Sequence, residues 1–489
     1  PNNTFLDMVD TFSNAGEGGS FLVANTPRQG ENMPDEQLCQ GIGMAPCDFK
    51  TGTNMWSSIV APACQTSQQT NCIDSVSVYK NGEIPTQATF VRQAEGEIIK
   101  ADPSHNLTEG STKSLWSATQ AHTGGTRDYV VFVQFMLGFN TGTQKVQVVS
   151  MNSSVMPVNI VQGSYQPTKY VQSQTPEGRK TVGSMGGSPD CVWTESTTCG
   201  RLQDFAPETR VKLSIRVERS VGGWFKGRMK APNIDVKPLG TSSNQITFDA
   251  EPVAVPQFYA RFDVNGNDAG VKKWLSTLPY KPQNGSGSNT RTDYKSAFDI
   301  VDNFRAITKD TAAGVNTLWT AGTVPGMGNR CLTDTSQVLG IVTTNSMAYQ
   351  GDAPEFTSGA LTYKVAGLHY LPDGKTAAEG TYDLVMRSET ARCLYGFSKA
   401  PISASISVTS ANGEAKVATT LVSEKDGWLK LSAYGFTFSE NRIDAKITQA
   451  AAPVAAKKNT ITCVSTKDKK LTKKVTAVGP KCPAGFKKK

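Results

Sequence analysis

Three pairs of cysteines are each separated by seven residues. They are "CQGIGMAPC" (Cys39, Cys47), "CQTSQQTNC" (Cys64, Cys72) and "CVWTESTTC" (Cys191, Cys199). The enclosed segments are rich in Ser, Thr and Gln, so they read as short surface loops closed on themselves. Four more cysteines follow, Cys331, Cys393, Cys463 and Cys482, for ten in all. An even number at such spacings predicts disulfides and therefore an oxidising compartment. The expected pairs are 39–47, 64–72, 191–199, 331–393 and 463–482. In the chain-entropy account each small loop contributes about 2–3 kcal/mol, and the 331–393 loop about 4 kcal/mol. The competing reading is a metal site. Zinc sites favour two to four residues between cysteines, usually with histidine. The three histidines, His105, His122 and His369, all lie away from the cysteines in sequence.

Period-two alternation sets the fold class. In "RVKLSIRVER", Val211, Leu213, Ile215 and Val217 face one way, while Lys212, Ser214, Arg216 and Glu218 face the other. "KVQVVSM" and "NIDVKPL" alternate likewise. The run from Tyr129 to Phe139, "YVVFVQFMLGF", is apolar throughout, too short for a bilayer, and reads as a buried strand. The chain is therefore mainly β and multidomain. A large loop-decorated β-sandwich is expected over residues 1–255, carrying the three short cystine loops.

Residues 256–324 form a mixed α/β segment. "RTDYKSAFDIVDNFRAITKD" spaces Tyr294, Phe298, Val301, Phe304 and Ile307 at three to four residues. This predicts an amphipathic helix over 293–308 with Thr292 or Asp293 as its N-cap. Trp274 begins a shorter helix. Residues 325–449 return to short, regularly spaced strands, and about seven of them suggest an immunoglobulin-like sandwich. Within it, Asn412-Gly413 has the form of a two-residue hairpin turn. Residues 450–458 are an Ala/Pro linker, and 459–489 a small basic hairpin stapled by its two cysteines. About thirty residues cannot build a core without such a staple.

Charge is segregated. Residues 457–489 hold eleven lysines and one aspartate, whereas the rest holds 39 basic and 41 acidic residues. The body is nearly neutral and the tail carries the basicity. Lys469, Lys470, Lys473, Lys474, Lys487, Lys488 and Lys489 are the candidate contacts to an anionic polymer, by attraction over about one Debye length. Nothing in this pattern requires nucleic acid, and no apolar run reaches the ~18 residues of a membrane-spanning helix. The chain opens on Pro without a charged and apolar leader, as expected of a secretory precursor whose signal has been removed.

Catalytic signatures are sparse. There is no G-x-S-x-G, and the three histidines lie in different segments. A glycosidase needs two facing carboxylates, which the sequence does not pair. In "DVNGNDAG", Asp263, Asn265, Asn267 and Asp268 offer alternating oxygens. The sixth position is Asp268 rather than Gly and the twelfth is Trp274 rather than Glu, so the loop is either a hairpin turn or a non-standard calcium site. No other cofactor is indicated. "SVGGWFKGRMK" brings Trp224, Phe225, Lys226 and Arg228 together. They could hold an acidic glycan, or Trp224 could close a sandwich end after a bulge at Gly222-Gly223. Trp56, Trp116 and Trp193 lie in polar surroundings and are the candidates for exposed glycan contacts.

Several stretches resemble a known group. "GTYDLVMRSETARCLYGFSKAPISASISV", "VSEKDGWLKLSAYGFTFSE" and the tail with "ITCV", "LTKKVTAV" and "KCPAGFKKK" resemble the C-terminal part of exported proteins of freshwater and other actinobacteria. "NCIDSVSV", "SLWS" and "RSVGGWFKGRMKAPNI" are similar to recurring stretches earlier in those proteins. The resemblance implies export and surface or cell-wall association, and no catalytic residues. The expected function is thus a secreted structural or interaction protein of a cell surface. It would dock through its tail to envelope polyanions and could assemble with copies of itself into a layer or filament. The alternative is a secreted glycan-binding protein or glycan hydrolase using the N-terminal loops. A third possibility is a tail used as an export or sorting signal.

Overall fold

The alternation in Thr209–Glu218 is realised residue by residue. Val211, Leu213, Ile215 and Val217 are fully buried, while Lys212, Arg216 and Glu218 are only partly covered. The computed structural model describes residues 4–10, 19–28, 33–48, 54–188, 190–278, 282–283, 285–324, 330–334, 336–397, 402–410, 419–438, 441–449 and 458–489. Strands dominate these residues, in several sheets, with three short α-helices. None of the helices is long and apolar enough to cross a membrane.

One 15-stranded sheet organises the body. Its main path runs Thr419–Lys425, Trp428–Thr437, Glu379–Arg387, Val338–Thr344, Gly223–Arg228, Thr320–Val324, Lys145–Gln162, Asp128–Asn140, Asn54–Val60, Phe21–Thr26, Asp35–Leu38. A four-stranded sheet, Lys230–Leu239, Ser243–Glu251, Thr209–Glu218 and Cys72–Lys80, covers part of one face. Between them lies the largest core, with Val78, Leu213, Ile246 and Phe248 opposite Val131, Phe135, Phe225 and Ile341. The apolar run at Tyr129 follows from this layering. Tyr129, Val131, Val133 and Phe135 enter that core, while Val130 and Phe132 face a smaller one on the opposite side. A strand covered on both faces has no solvent side to alternate with.

A second sandwich forms at the other end of the long sheet. There a five-stranded sheet built on Ala360–Ala366, Asn441–Gln449 and Ile402–Ser410 packs Leu361, Tyr363, Val408 and Ile443 against Trp224, Leu384, Leu429 and Leu431. The boundaries expected at 255 and 325 do not divide the sheets. Gly223–Arg228 pairs antiparallel with Thr320–Val324 and parallel with Val338–Thr344, so the long sheet runs through all three expected segments. Such pairings join strands a hundred residues apart, which local pattern cannot register. The register shift at Gly223/Trp224, with Gly223 at φ 76°, is the bulge expected there. Asn412-Gly413 lies outside the described residues. Its flanking strands do not form a hairpin, because Ile402–Ser410 pairs with Asn441–Gln449 and Thr419–Lys425 with Trp428–Thr437.

The third core is mixed. Thr4–Val9 pairs with Tyr259–Phe262 and Gly287–Arg291, so the first described strand belongs with the 256–324 segment rather than with the N-terminal sandwich. Helices α1 (Ala269–Thr277) and α2 (Lys295–Phe304) cover this sheet. Trp274, Phe262 and Phe304 meet edge to face at centroid distances of 5.0–5.7 Å. A ten-residue helix is below the ~12–15 residues that hold in isolation. Burying Ile300, Val301 and Phe304, at about 1.5–3 kcal/mol each, is what seats α2. α2 is shorter than expected, and its N-cap is Tyr294, without a side-chain cap. Thr292 and Asp293 are engaged elsewhere, as described below. α3 (Ser388–Tyr395) packs on the second core through Ala391 and Leu394.

All five expected disulfides are formed, with Cα–Cα separations of 5.1–5.9 Å. The 191–199 bridge closes the hairpin of Cys191–Thr194 and Thr198–Leu202, whose Val192 and Trp193 roof the long sheet. Residues 458–489 form a three-stranded antiparallel sheet ordered Thr472–Ala477, Asn459–Ser465, Phe486–Lys488, one strand more than the expected hairpin.

Candidate functional site

The C-terminal sheet is a lysine-bearing scaffold. Cys463 sits fully buried in its middle strand and is tied to Cys482, just before the third strand. Register places Lys473 and Lys488 on either side of Cys463, hence on one face. Lys474 opposes Thr462 and Lys487 opposes Val464, which puts both on the other face, because side chains alternate. Lys473 Nζ lies 5.0 Å from the centroid of Phe486, so an aromatic ring fixes one ammonium in place. Lys469 and Lys470 occupy the turn between the first two strands, and Lys489 N donates to Thr462 O at 2.9 Å. Every lysine from Lys458 to Lys489 is exposed. Charge thus leaves both faces and one end of the sheet.

Two of the three tryptophans expected to be exposed, Trp116 and Trp193, are buried. Trp116 is 3% exposed within Ser114–Ser117, and its indole N–H donates to Ser114 Oγ at 2.8 Å. Trp193 is 1% exposed, with the guanidinium of Arg92 stacked 4.9 Å from its ring centre. Their neighbours in sequence are polar, but both rings point into the sheet packing, so neither offers a face to a sugar. The side chain of Trp56 lies outside the described residues.

The 263–268 loop is a strand-to-helix turn, not a hairpin. Asp263 Oδ1 accepts from Asn265 N at 2.9 Å, and Asp268 Oδ1 caps α1 by accepting from Val271 N at 2.9 Å. Asn267 Oδ1 accepts from Lys272 Nζ at 2.9 Å. One oxygen of each of these three side chains is thus engaged by a backbone N–H or a lysine. Among the described residues no three His, Cys, Asp or Glu side chains cluster as a metal site would require.

The histidines serve local structure. His105 Nδ1 contacts Asp102 Oδ2 at 2.6 Å, and the Ser104 hydroxyl lies 3.1 Å from the same nitrogen. A serine triad places acid and serine on opposite ring nitrogens, so this cluster has the wrong geometry. Hydrogen bonds from Ser104 and His105 hold the Asp102 carboxyl at about 2. His122 is buried, with Nε2 3.0 Å from Val158 O and 2.8 Å from Thr126 Oγ1, and burial lowers its pKa. His369 Nδ1 contacts Asp310 Oδ2 at 2.5 Å beside Arg305.

A cleft of about 800 Å³ opens over the long sheet on the face turned away from the first core. Its floor carries Gln134 and Asn152, directly opposite one another on neighbouring strands, with Ser150 close by and Lys226 two strands from Asn152. One wall is the hairpin of Lys169–Gln174 and Lys180–Met185, which contributes Tyr170, packed 4.3 Å from Phe21. This hairpin is anchored to Asp35–Leu38, where Asp35 Oδ1 accepts from Lys180 N at 2.8 Å and Glu36 Oε2 from Val182 N at 2.9 Å. The other wall is the start of α2.

At that wall Asp293 is held by two cations. Arg291 Nε donates to Oδ1 at 3.1 Å and Nη2 to Oδ2 at 2.9 Å, while Lys226 Nζ pairs with Oδ2. Burial acts to raise the Asp293 carboxyl. The hydrogen bond from Arg291 and the charge of Lys226 outweigh it and hold the group below the ordinary aspartate range. Arg291 stacks 4.4 Å from the ring centre of Tyr294, which is 51% exposed. The residues meeting here come from several separate segments, and two of those segments carry a faint sign in the sequence. "RTDY" read as a helix start and "WFKGR" as a basic aromatic patch, and Lys226 is where the two meet. Comparison of the chain with protein-family models, with curated proteins and with solved structures finds no match.

Proposed function

We propose that this chain is an exported structural or interaction protein of a cell surface whose C-terminal module docks onto an anionic envelope polymer. One observation carries the reading. Ten exposed lysines, Lys458 to Lys489, stand on a disulfide-closed sheet, while the remaining body is close to neutral. The described strands of the module pair only with one another, which leaves the outer edges of both flanking strands unpaired within the module. Five disulfides are the bonding state of an oxidising compartment, in keeping with export.

The mechanism is multivalent. Each exposed ion pair is worth well under about 1 kcal/mol, so a single lysine holds nothing. Several lysines on a rigid frame engage successive charges of one polymer, and the later contacts form at high effective concentration. Teichoic-type phosphates and acidic wall glycans have the required repeating charge. Lys→Gln substitution at 469, 470, 473, 474, 487, 488 and 489 in the full chain, followed by co-sedimentation with purified cell walls, tests the reading. Sedimentation should fall at least tenfold, and the binding of the unaltered chain should fall steeply with salt. Unchanged sedimentation of the substituted chain would overturn the proposal.

A further inference from the structure

No lysine of the C-terminal module lines the cleft over the long sheet. We propose that it is a binding site for a saccharide bearing a single carboxylate, a uronic-acid sugar within an oligosaccharide. Its volume, about 800 Å³, lies in the range of small-ligand sites, roughly 300–1,000 Å³. The floor presents the Asn152 amide and the Ser150 hydroxyl, with the buried Gln134 behind them donating to Ser58 Oγ at 2.8 Å, on adjacent strands about 4.8 Å apart. These groups both donate and accept, as sugar hydroxyls do. Asn152 has room there because its neighbour across the strands is Gly322, where a Cβ would come within 2.5 Å of Asn152 Oδ1.

The walls supply aromatic faces. Tyr170 stands on one side and the half-exposed Tyr294 on the other. Apolar sugar faces pack on such rings, while their hydroxyls turn to the floor. Charge completes the match. Lys226, Arg291 and Lys295 face the cleft against Asp293 and Asp352, an excess of one positive charge, which suits a monoanionic sugar better than a phosphate dianion. Asp293 holds Lys226 and Arg291 at one end of the cleft. α2 begins at the same wall without a side-chain cap, so the positive end of its dipole adds to the field.

The test is calorimetric titration of the full chain with trisaccharides that carry one galacturonate, mannuronate or glucuronate residue between neutral sugars, and with maltotriose as the neutral control. One-to-one binding of at least one uronate is expected. Asn152→Ala and Tyr294→Ala should weaken it at least tenfold, and Lys295→Glu should weaken it further than it weakens any maltotriose binding. Tyr294 and Lys295 are exposed, so these variants keep the fold, which an unchanged melting temperature verifies. The seven-lysine tail variant should bind as the parent does. The proposal is overturned by the absence of one-to-one binding with all three uronates. Maltotriose binding of equal strength, or binding lost in the tail variant and kept in Asn152→Ala and Tyr294→Ala, would overturn it equally.

Discussion

The Nε of Arg228 donates to Oδ1 of Asp10 at 2.9 Å, joining residues 218 positions apart in a site where the arginine is wholly buried. The same Asp10 oxygen accepts from Thr292 Oγ1 at 2.9 Å. Arg228 also donates to the carbonyls of Thr344 at 3.0 Å and Ser346 at 2.5 Å, and its guanidinium lies 4.3 Å from the ring centre of Tyr349. The long sheet, the first strand and the mixed core are locked at this point.

Arg228→Met leaves Asp10 without its buried cation and should destabilise the fold by about 3–5 kcal/mol. Arg228→Lys should recover little of that, because an ammonium cannot reproduce the planar fork. Urea midpoints of the three chains decide it, and a loss below about 1 kcal/mol for Arg228→Met would show the pair to be dispensable.

Asp293 sets an acid limit. Its carboxyl lies below the ordinary value when folded, so the unfolded chain binds more protons below about pH 4. The stabilisation is therefore fully present above the unfolded value and is lost as pH falls through the folded one. Asp293→Asn should lower stability by about 3 kcal/mol at pH 7, with Lys226 left unpaired. It should also flatten the decline in melting temperature between pH 4 and pH 2. Equal acid slopes in the two proteins would exclude Asp293 as a contributor.

The C-terminal sheet depends on its staple. Cys463→Ser with Cys482→Ser opens a closure of 19 residues, worth about 3 kcal/mol in the chain-entropy model. Trypsin should then cut within 463–482 in a fraction of the time needed for the parent, while the melting temperature of the body stays unchanged. A tail that resists trypsin without its disulfide would point to a core of its own.

Trp116 and Trp193 act on stability. Replacing either with Ala should cost about 3–5 kcal/mol, as expected for a buried indole. Uronate binding, measured at a temperature where the variant is folded, should not change. Acrylamide quenching of the parent should likewise report both indoles as shielded.

What the sequence made legible was local. Val211 to Val217 alternate as a strand must, and the cysteine spacings give their own partners. Trp274 and Phe304 lie in helical patterns that the structure keeps. Trp116 and Trp193 were misleading because polar neighbours set their apparent exposure, whereas burial is decided by what lies across the sheet. Lys226 shows the same thing. Along Gly223–Arg228, Phe225 faces the first core, while Trp224, Lys226 and Arg228 alternate to the other face and enter the second core, the cleft and the buried pair. Six residues serve four environments because the neighbours of this strand come from residues 320–324 and 338–344. The cleft was invisible for that reason.

The attachment of the tail has a mechanical side. The body ends in Asn441–Gln449, a strand with nine residue pairs to Ile402–Ser410 on one flank and five to Ala360–Ala366 on the other, all antiparallel. Were the lysines to tether the chain as proposed, a pull on the tail would reach the body at the Gln449 end of that strand. Antiparallel hydrogen bonds lie across the strand axis. A pull along the axis therefore shears both ladders together instead of unzipping one bond after another, so the last described strand of the body meets tension with two ladders at once.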